Sequence, residues 1–501
     1  MYALYLLSAI LFFYGYIKYT KRFSYWEKRG VAHPNFSLLF GNLSETIFLK
    51  KSLGQVYHDI YKAYPDHPYV GFYKLRQHAI LIRDPELVQK VLISDFNYFN
   101  ENDFDIDKEN DYIILKNPLL ARGEDWKSNR GRMVPFLTNN KIKSIFPIIK
   151  KLCQNFVEHL DNPIFTNGEN NVKELCEKYT MDVAILCALG LEGNSFKSEN
   201  TECITNIKKI ISPGSAMSLK VSILMLLPTL AKFLKIKFVP DEVIRYFKMM
   251  FKRTLHYRME NNIQRNDFFQ DMYQFQQKFG EDIMSDIDII GHSFRFFIDG
   301  YETNSNVLSH VLYDLGTNVS LQEHLREEIV KTLKNGNEDL TFELLDKMTY
   351  LNKFIYESLR LHSPALFFSK RCTKTYKLPP ISTNSKEVLI ETGTPVVIPV
   401  HSLHYDSKYF PNPKKFDPER FSSNNVLTKA TFLAFGDGPR KCIGQNLGLA
   451  QIKVAIIYLV LHYDIRVNPK TKTPLEIDPT YFLLSPKGGI WLNFIKRNKH
   501  L

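Results

Sequence analysis

The stretch Phe435-Gly436-Asp437-Gly438-Pro439-Arg440-Lys441-Cys442-Ile443-Gly444 constrains this chain more than any other. It sets one cysteine in a loop, with glycines on both sides and a cation two residues before it, ahead of a long apolar helical pattern. Small residues let the backbone come close to a flat ligand and leave N–H groups free to point at the sulfur. Those hydrogen bonds, together with burial, tune the electron density that a thiolate gives to a metal. Arg440 offers a fork of fixed donors that suits a planar carboxylate. From these residues alone two readings stand: a thiolate ligand for haem iron, or a buried structural thiol in a glycine-rich turn, as most lone cysteines are.

The 501 residues can hold either one large domain or a few average ones. Apolar residues make up 44% and aromatics 13%, enough for a sizeable core and too many for disorder. Six cysteines (Cys153, Cys176, Cys187, Cys203, Cys372 and Cys442) lack paired or metal-type spacing, which argues against a disulfide framework and for a reducing compartment. Lys plus Arg exceed Asp plus Glu by 65 − 53 = 12, a balance that favours an anionic membrane surface or an acidic protein partner. Zinc-finger spacing, a basic helix and an aromatic-basic RNA motif are all missing, so a nucleic-acid partner is not expected.

Tyr2 to Ile17 carries no charge, and Lys18, Lys21, Arg22, Lys28 and Arg29 follow it. A secretory signal has its charges before the apolar run and a small-residue cleavage site after it; this order is the reverse. The spacing predicts an uncleaved signal-anchor over residues 1–20, with the positive flank and everything after it on the cytosolic side. Residues 21–45, with Arg29-Gly30-Val31-Ala32-His33-Pro34 and Gly41, read as a basic, proline-containing linker to a body over 46–501. The pattern predicts a helix near Leu53–Tyr64, strands at Tyr69–Tyr73 and Ala79–Ile82, and a helix opened by Asp84-Pro85-Glu86 and running through Val91. Mostly helical text follows over 141–375, and strand signals return at Glu387–Ile398. An apolar patch at 216–238, broken by Pro228 and carrying four lysines, reads either as core helices or as a segment dipping into a membrane with its lysines at headgroup level.

The ordered Phe-Gly-x-Gly-x-Arg-x-Cys-x-Gly pattern resembles the signature of the cytochrome P-450 superfamily, and the resemblance extends over essentially the whole chain. It implies the cytochrome P-450 fold: mainly α with a minor β subdomain, a single large domain behind an N-terminal membrane anchor. It also implies heme b as cofactor, Cys442 as axial metal ligand, and Phe435, Gly438, Arg440 and Gly444 as cofactor-binding residues. Electrons would come from NADPH through a separate flavoprotein reductase, with cytochrome b5 as a further partner, at the endoplasmic reticulum membrane. Lys127 and Lys441 would contribute to the docking side.

Other motifs fall in the family's order. Phe296-Phe297-Ile298-Asp299-Gly300-Tyr301-Glu302-Thr303-Asn304 is by itself a helix with a glycine kink; it resembles the central helix in which a local distortion makes room for dioxygen. Gly300, Glu302 and Thr303 match, with the acid and alcohol organising proton delivery. Asp299 and Asn304 depart from that pattern, and a carboxylate at Asp299 is costly unless paired or protonated. Trp126 and Arg130 stand at i, i+4 and resemble the pair that reaches haem propionates. Glu357 and Arg360, at i, i+3, read alone as a solvated salt bridge; with Arg420 they resemble a buried Glu-Arg-Arg network of structural role. In Ser369-Lys370-Arg371-Cys372, Arg371 or Lys370 would be a further propionate cation, unless the stretch is an exposed basic turn.

Tyr25-Trp26-Glu27-Lys28-Arg29-Gly30-Val31, Arg371-Cys372-Thr373-Lys374, Leu403-His404-Tyr405-Asp406 and Phe410-Pro411-Asn412-Pro413 resemble insect microsomal members. Those handle insecticides, plant toxins and some endogenous hormones or lipids. The expected activity is a monooxygenase acting on apolar small molecules. Its rivals are a reductase-independent haem-thiolate isomerase or dehydratase, and a non-catalytic haem carrier or sensor. Substrate-lining segments are expected near residues 95–120, 205–240 and 365–370.

Overall fold

The computed structural model describes residues 24–162, 169–197, 202–211, 214–265, 267–334, 338–380, 386–422 and 430–497. Helices dominate. Two of them, Glu302–Thr317 and Gln445–His462, are buried around almost their whole circumference and form the middle of a large helical core. A helix that is apolar on all sides has no solvent face to offer and belongs in such a centre.

Local chemistry sets the element ends. Ser52 and Gln55 form a reciprocal capping box at the start of Leu53–Ala63. Asp84 accepts from Glu86 and Leu87 N–H at the start of Pro85–Gln89. That helix stops short of the expected Val91, because the chain widens into a π-turn over Lys90–Ser94.

A five-stranded sheet stands at one side in the order Tyr69–Lys74, Gln77–Ile82, Pro395–Ile398, Phe368–Arg371 and Glu101–Asn102. Its second and third strands run parallel, and the other neighbours are antiparallel. This sheet carries a second core of its own. Two smaller sheets hold Asn170–Asn171, Trp491–Lys496 and Tyr463–Val467, and Tyr376–Leu378 with Val388–Ile390.

The stretch read as a linker is seated on that second core where it is described. Trp26 is fully buried and its indole covers Gly71, where a Cβ would come within 2.4 Å of the ring. Trp26 Nε1 donates to Phe72 O at 3.1 Å, and Val31 and Leu43 are buried beside it. The expected anchor over residues 1–20 lies outside the described residues. Among the described residues no helix is long and apolar enough to cross a membrane. The 216–238 patch folds as two short helices, Ser215–Leu226 and Pro228–Phe233, which leave Leu219, Leu230, Leu234 and the 81%-exposed Phe233 at the surface. Core helices would have buried these side chains.

Candidate active site

Backbone conformation shapes the cysteine loop. Cys442 N–H donates to Phe435 O at 2.9 Å and Lys441 N–H to Gly438 O at 3.0 Å, which closes the loop around a short 3₁₀ turn, Gly438–Arg440. Asp437 caps that turn by accepting from Gly438 N–H at 2.8 Å. Gly438 has φ +69°, and a Cβ there would meet Leu92 O at 2.0 Å, so only glycine fits. At Gly444, by contrast, a Cβ would meet nothing within 4 Å. Cys442 is exposed, yet the surrounding protein pushes its thiol above the ordinary range, opposed by the Gly444 N–H and by Arg295 and Arg130. Cys442 is thus surrounded by protein while its thiol stays open to a ligand.

Facing it is the central helix, interrupted by a π-helical segment, Phe296–Tyr301, between Asp286–Arg295 and Glu302–Thr317. Such bulges mark functional sites. Phe296, Phe297 and Tyr301 point into the core, while Arg295, Asp299 and Thr303 succeed one another at intervals of four and form a polar stripe. Arg295 and Asp299 lie close enough to Cys442 to act on it electrostatically. A Cβ on Gly300 would meet nothing within 4 Å. The Thr303 hydroxyl donates to Asp299 O.

Asp299, 35% exposed, is paired: Arg295 Nε donates to Oδ2 at 2.7 Å, and Asn117 Nδ2 to Oδ1 at 2.9 Å and Oδ2 at 3.2 Å. Glu302 is held apart from this stripe. It is buried and accepts from Lys173 Nζ at 2.9 Å, while the same ammonium donates to Ser305 Oγ at 2.7 Å. Burial pushes the Glu302 carboxyl up and Lys173 opposes the shift. Asn304, the other departure from the expected pattern, donates to Gly300 O at 2.6 Å.

A cluster of cations flanks the cysteine. Arg440 stacks over the Trp126 ring at 4.5 Å and donates to three backbone carbonyls: Asn100 at 2.7 Å, Pro118 at 2.7 Å and Ala121 at 3.0 Å. Burial lowers its pKa to about 10. Arg130 Nη2 donates to Lys441 O at 2.8 Å. Lys370 and Arg371 alternate across their strand. Arg371 turns outward onto Asp103 at 2.9 Å, whereas Lys370 is buried, donates to Asn102 Oδ1 at 2.8 Å and lies close enough to Arg440 to feel its charge. Burial first, then Arg440, lowers the Lys370 pKa to about 7. The expected propionate cation, Arg371, is thus occupied elsewhere, because successive strand residues face opposite ways.

Beneath the loop, Glu357 and Arg360 form a bidentate pair, both contacts at 2.7 Å and both side chains 0% exposed. Arg420 Nε reaches Glu357 Oε1 at 3.3 Å and Asp417 N–H donates to the same oxygen at 2.9 Å. Arg360 also donates to His404 O, and His404 Nε2 accepts from Leu433 N–H at 2.9 Å. The helix Thr349–Leu361, the turn Pro418–Phe421 and the segment leading to the cysteine are therefore tied into one network.

The Cytochrome P450 family model matches residues 32–493. The chain belongs to the cytochrome P450 family. It is 33% identical to the probable cytochrome P450 28d1 of Drosophila melanogaster over 99% of each chain. It is 34% identical to cytochrome P450 6k1 of Blattella germanica (97% of this chain, 96% of the relative), and 31% identical to cytochrome P450 6B2 of Helicoverpa armigera (96% of each). This P450 is accordingly a haem-thiolate monooxygenase, its haem iron carried on an axial cysteine. The residues present fit that cofactor. The cavity wall bears one cysteine with a backbone N–H on its sulfur, a loop at Gly444 open to a flat face, and a buried Trp126 Nε1 with no acceptor in the protein. An orphaned indole donor beside Arg130, Arg440 and Lys370 suits a carboxylate-bearing ring.

The sequence reading did not single out Arg295, Asn117 or Lys173. The i, i+4 spacing of Arg295 and Asp299 was readable as a helix pair. The other two partners are distant in sequence and carry no local signal.

Proposed function

We propose that this P450 inserts one oxygen atom from O2 into apolar small molecules (insecticides, plant toxins, or endogenous hormones or lipids), using electrons from NADPH delivered by a separate flavoprotein reductase. The observation that carries this reading is the loop that holds Cys442, with the unpartnered indole of Trp126 and the Arg440 guanidinium beside it. The haem supplies oxygen activation, and the chain's residues bind, orient and protonate. Cys442 is the axial ligand, with Phe435, Gly438 and Gly444 shaping its loop. Trp126, Arg130, Arg440 and Lys370 hold the propionate side, with Lys370 rather than Arg371 in that role. The Gly300 turn leaves space for dioxygen and the Thr303 hydroxyl positions the proton donor, while Glu302, expected beside it as the acid, is paired with Lys173 away from that stripe and serves to hold the helix. Glu357, Arg360 and Arg420 keep the loop in place.

Residues 1–20 serve as a signal-anchor in the endoplasmic reticulum membrane, 21–45 connect it to the catalytic domain over 46–501, and that domain faces the cytosol. The exposed Leu219, Leu230, Phe233 and Leu234, with lysines nearby, suit a second contact with the bilayer. A cleft of about 780 Å³ runs between residues 104–132 and Pro228–Lys232, where a substrate leaving the lipid would enter. Lys127 and Lys441, exposed near the cysteine loop, suit an acidic face of the reductase or of cytochrome b5.

The test is oxygen consumption by the reconstituted enzyme. Dependence on both NADPH and reductase, with a hydroxylated product, supports the reading. Turnover of a peroxide without electrons points to an isomerase or dehydratase, and ligand binding without product points to a carrier or sensor.

A further inference from the structure

The helix Gly123–Met133 shows Trp126 and Arg130 to the cysteine loop and turns a different face, Asp125, Ser128, Asn129 and Arg132, to the cleft of about 780 Å³. Arg132 lines that cleft with its side chain 24% exposed. Its one ion pair is loose, Nη1 to Asp288 Oδ2 at 3.5 Å, and it makes no hydrogen bond among the described residues. None of its guanidinium nitrogens is shut away from solvent. Asp288 is already committed. Its Oδ2 accepts from Ser285 N–H at 3.0 Å and Ser285 Oγ at 2.8 Å, and its Oδ1 meets Lys116 Nζ at 2.6 Å. The Lys116 stem packs on Gly291, where a Cβ would come within 2.7 Å of its Cγ. Two cations thus share one carboxylate at this end of the cleft. The other lining cations are matched: Lys108 with Asp125, Arg122 with Asp105, and Lys232 with Asp107. Glu109 is exposed and pairs with neither Arg132 nor Lys116.

We propose that the Arg132 end of this cleft is a recognition site for a carboxylate, and that the cleft admits an amphipathic acid whose apolar body lies along Ile106, Leu115, Leu120 and Pro228. This rests on the reading of the cleft as the substrate's entrance and narrows the substrate class. A planar fork of donors matches a carboxylate bidentately, and here no protein acceptor holds that fork by a hydrogen bond. Lys116, fixed on Asp288, adds positive charge beside it without occupying the same donors. The site sits on a different face of the helix from Trp126 and Arg130. It therefore selects what enters and takes no part in the chemistry, so its loss should act on KM and leave kcat alone.

The test uses the haem-loaded full chain in detergent at neutral pH, with decanoic acid and 1-decanol as probes of equal length. Dissociation constants are measured by equilibrium dialysis. The wild type is expected to prefer decanoate by roughly five- to ten-fold, between the worth of an exposed ion pair and that of a buried charged hydrogen bond. Arg132→Met should abolish the preference, and Arg132→Lys should retain part of it. The Met variant strands no carboxylate, because Asp288 keeps Lys116 and Ser285, so it should fold and load haem as the wild type does. For an acid that the reconstituted enzyme turns over, Arg132→Met should raise KM by the same factor with kcat unchanged. Equal binding of both probes to the wild type overturns the proposal, as does a preference or a KM that the Met substitution leaves unmoved. Dioctanoyl phosphatidate bound through Arg132 while decanoate is not would assign the site to a lipid headgroup, and overturns it too. Failure of the entrance reading looks different: decanoate would bind through Arg132, yet no acid would shift the Soret band or be turned over.

Discussion

The Glu302 carboxylate accepts from Lys173 Nζ at 2.9 Å, with both side chains largely buried. A buried pair of this kind is strongly destabilised when one partner alone is lost, by about 3–5 kcal/mol. Lys173→Met is therefore expected to lower the denaturant midpoint markedly, and Lys173→Met/Glu302→Gln to recover most of the loss. Unfolding curves of the three proteins check this.

Thr303→Ala removes the hydroxyl on the cavity stripe. General acid–base contributions are about a hundred-fold or more, so product formation should fall by that order while NADPH and oxygen are still consumed. The ratio of product to oxygen consumed is the measurement.

The Glu357 network predicts a graded series. Arg360 is 0% exposed and bidentate to Glu357, whereas Arg420 is 11% exposed with its contact at 3.3 Å. Arg360→Met should cost about 3–5 kcal/mol and abolish haem retention, and Arg420→Met should cost less. Haem content per protein after purification reads out the order.

Two glycines of the cysteine loop separate folding from binding. Gly438→Ala places a methyl 2.0 Å from Leu92 O at positive φ and should prevent the loop from forming. Gly444→Ala meets no protein atom within 4 Å and sits at φ −88°, so the chain should fold normally. Its methyl should weaken cofactor binding only if the cofactor lies against that face. Far-ultraviolet circular dichroism and haem titration distinguish the two effects.

Acid should destabilise this P450 through buried neutral histidines. His404 donates through Nδ1 to Arg360 O and accepts Leu433 N–H at Nε2, and burial lowers its pKa to about 3. The unfolded chain takes up the proton near pH 6.5, and the folded chain only near pH 3. Stability is thus retained above about pH 6.5 and is lost as pH falls towards 3, by about 1.4 kcal/mol per pH unit for each such group. His292 and His401, also lowered to about 3, add to the slope. His404→Gln keeps a donor and an acceptor without a titrating ring, and its stability should fall less steeply over this range.

Much of this was readable in the sequence because short-range chemistry wrote it. Ser52, Asp84 and Pro85 announced helix starts, and period-two apolarity announced the strands around residues 69–82. The loop around Cys442 was legible because its glycines and its cation occur at fixed spacing. What escaped was set by long-range packing. The partner of Asp299 from residue 117, and Lys173 opposite Glu302, depend on elements far apart in sequence. That Lys370 turns inward onto Asn102 and Arg371 outward onto Asp103 depends on which face of the strand is covered. Trp26, in a stretch that resembled a linker, found its place only because Gly71 leaves room for an indole.

The central claim is that Cys442 holds haem iron as a thiolate inside this cavity. Its most direct test is the reduced, carbon-monoxide-bound difference spectrum of the detergent-solubilised wild type beside Cys442→Ser. A strongly red-shifted Soret band in the wild type, lost in the variant, is the predicted result. An imidazole-like band, or the same band in both proteins, would contradict it.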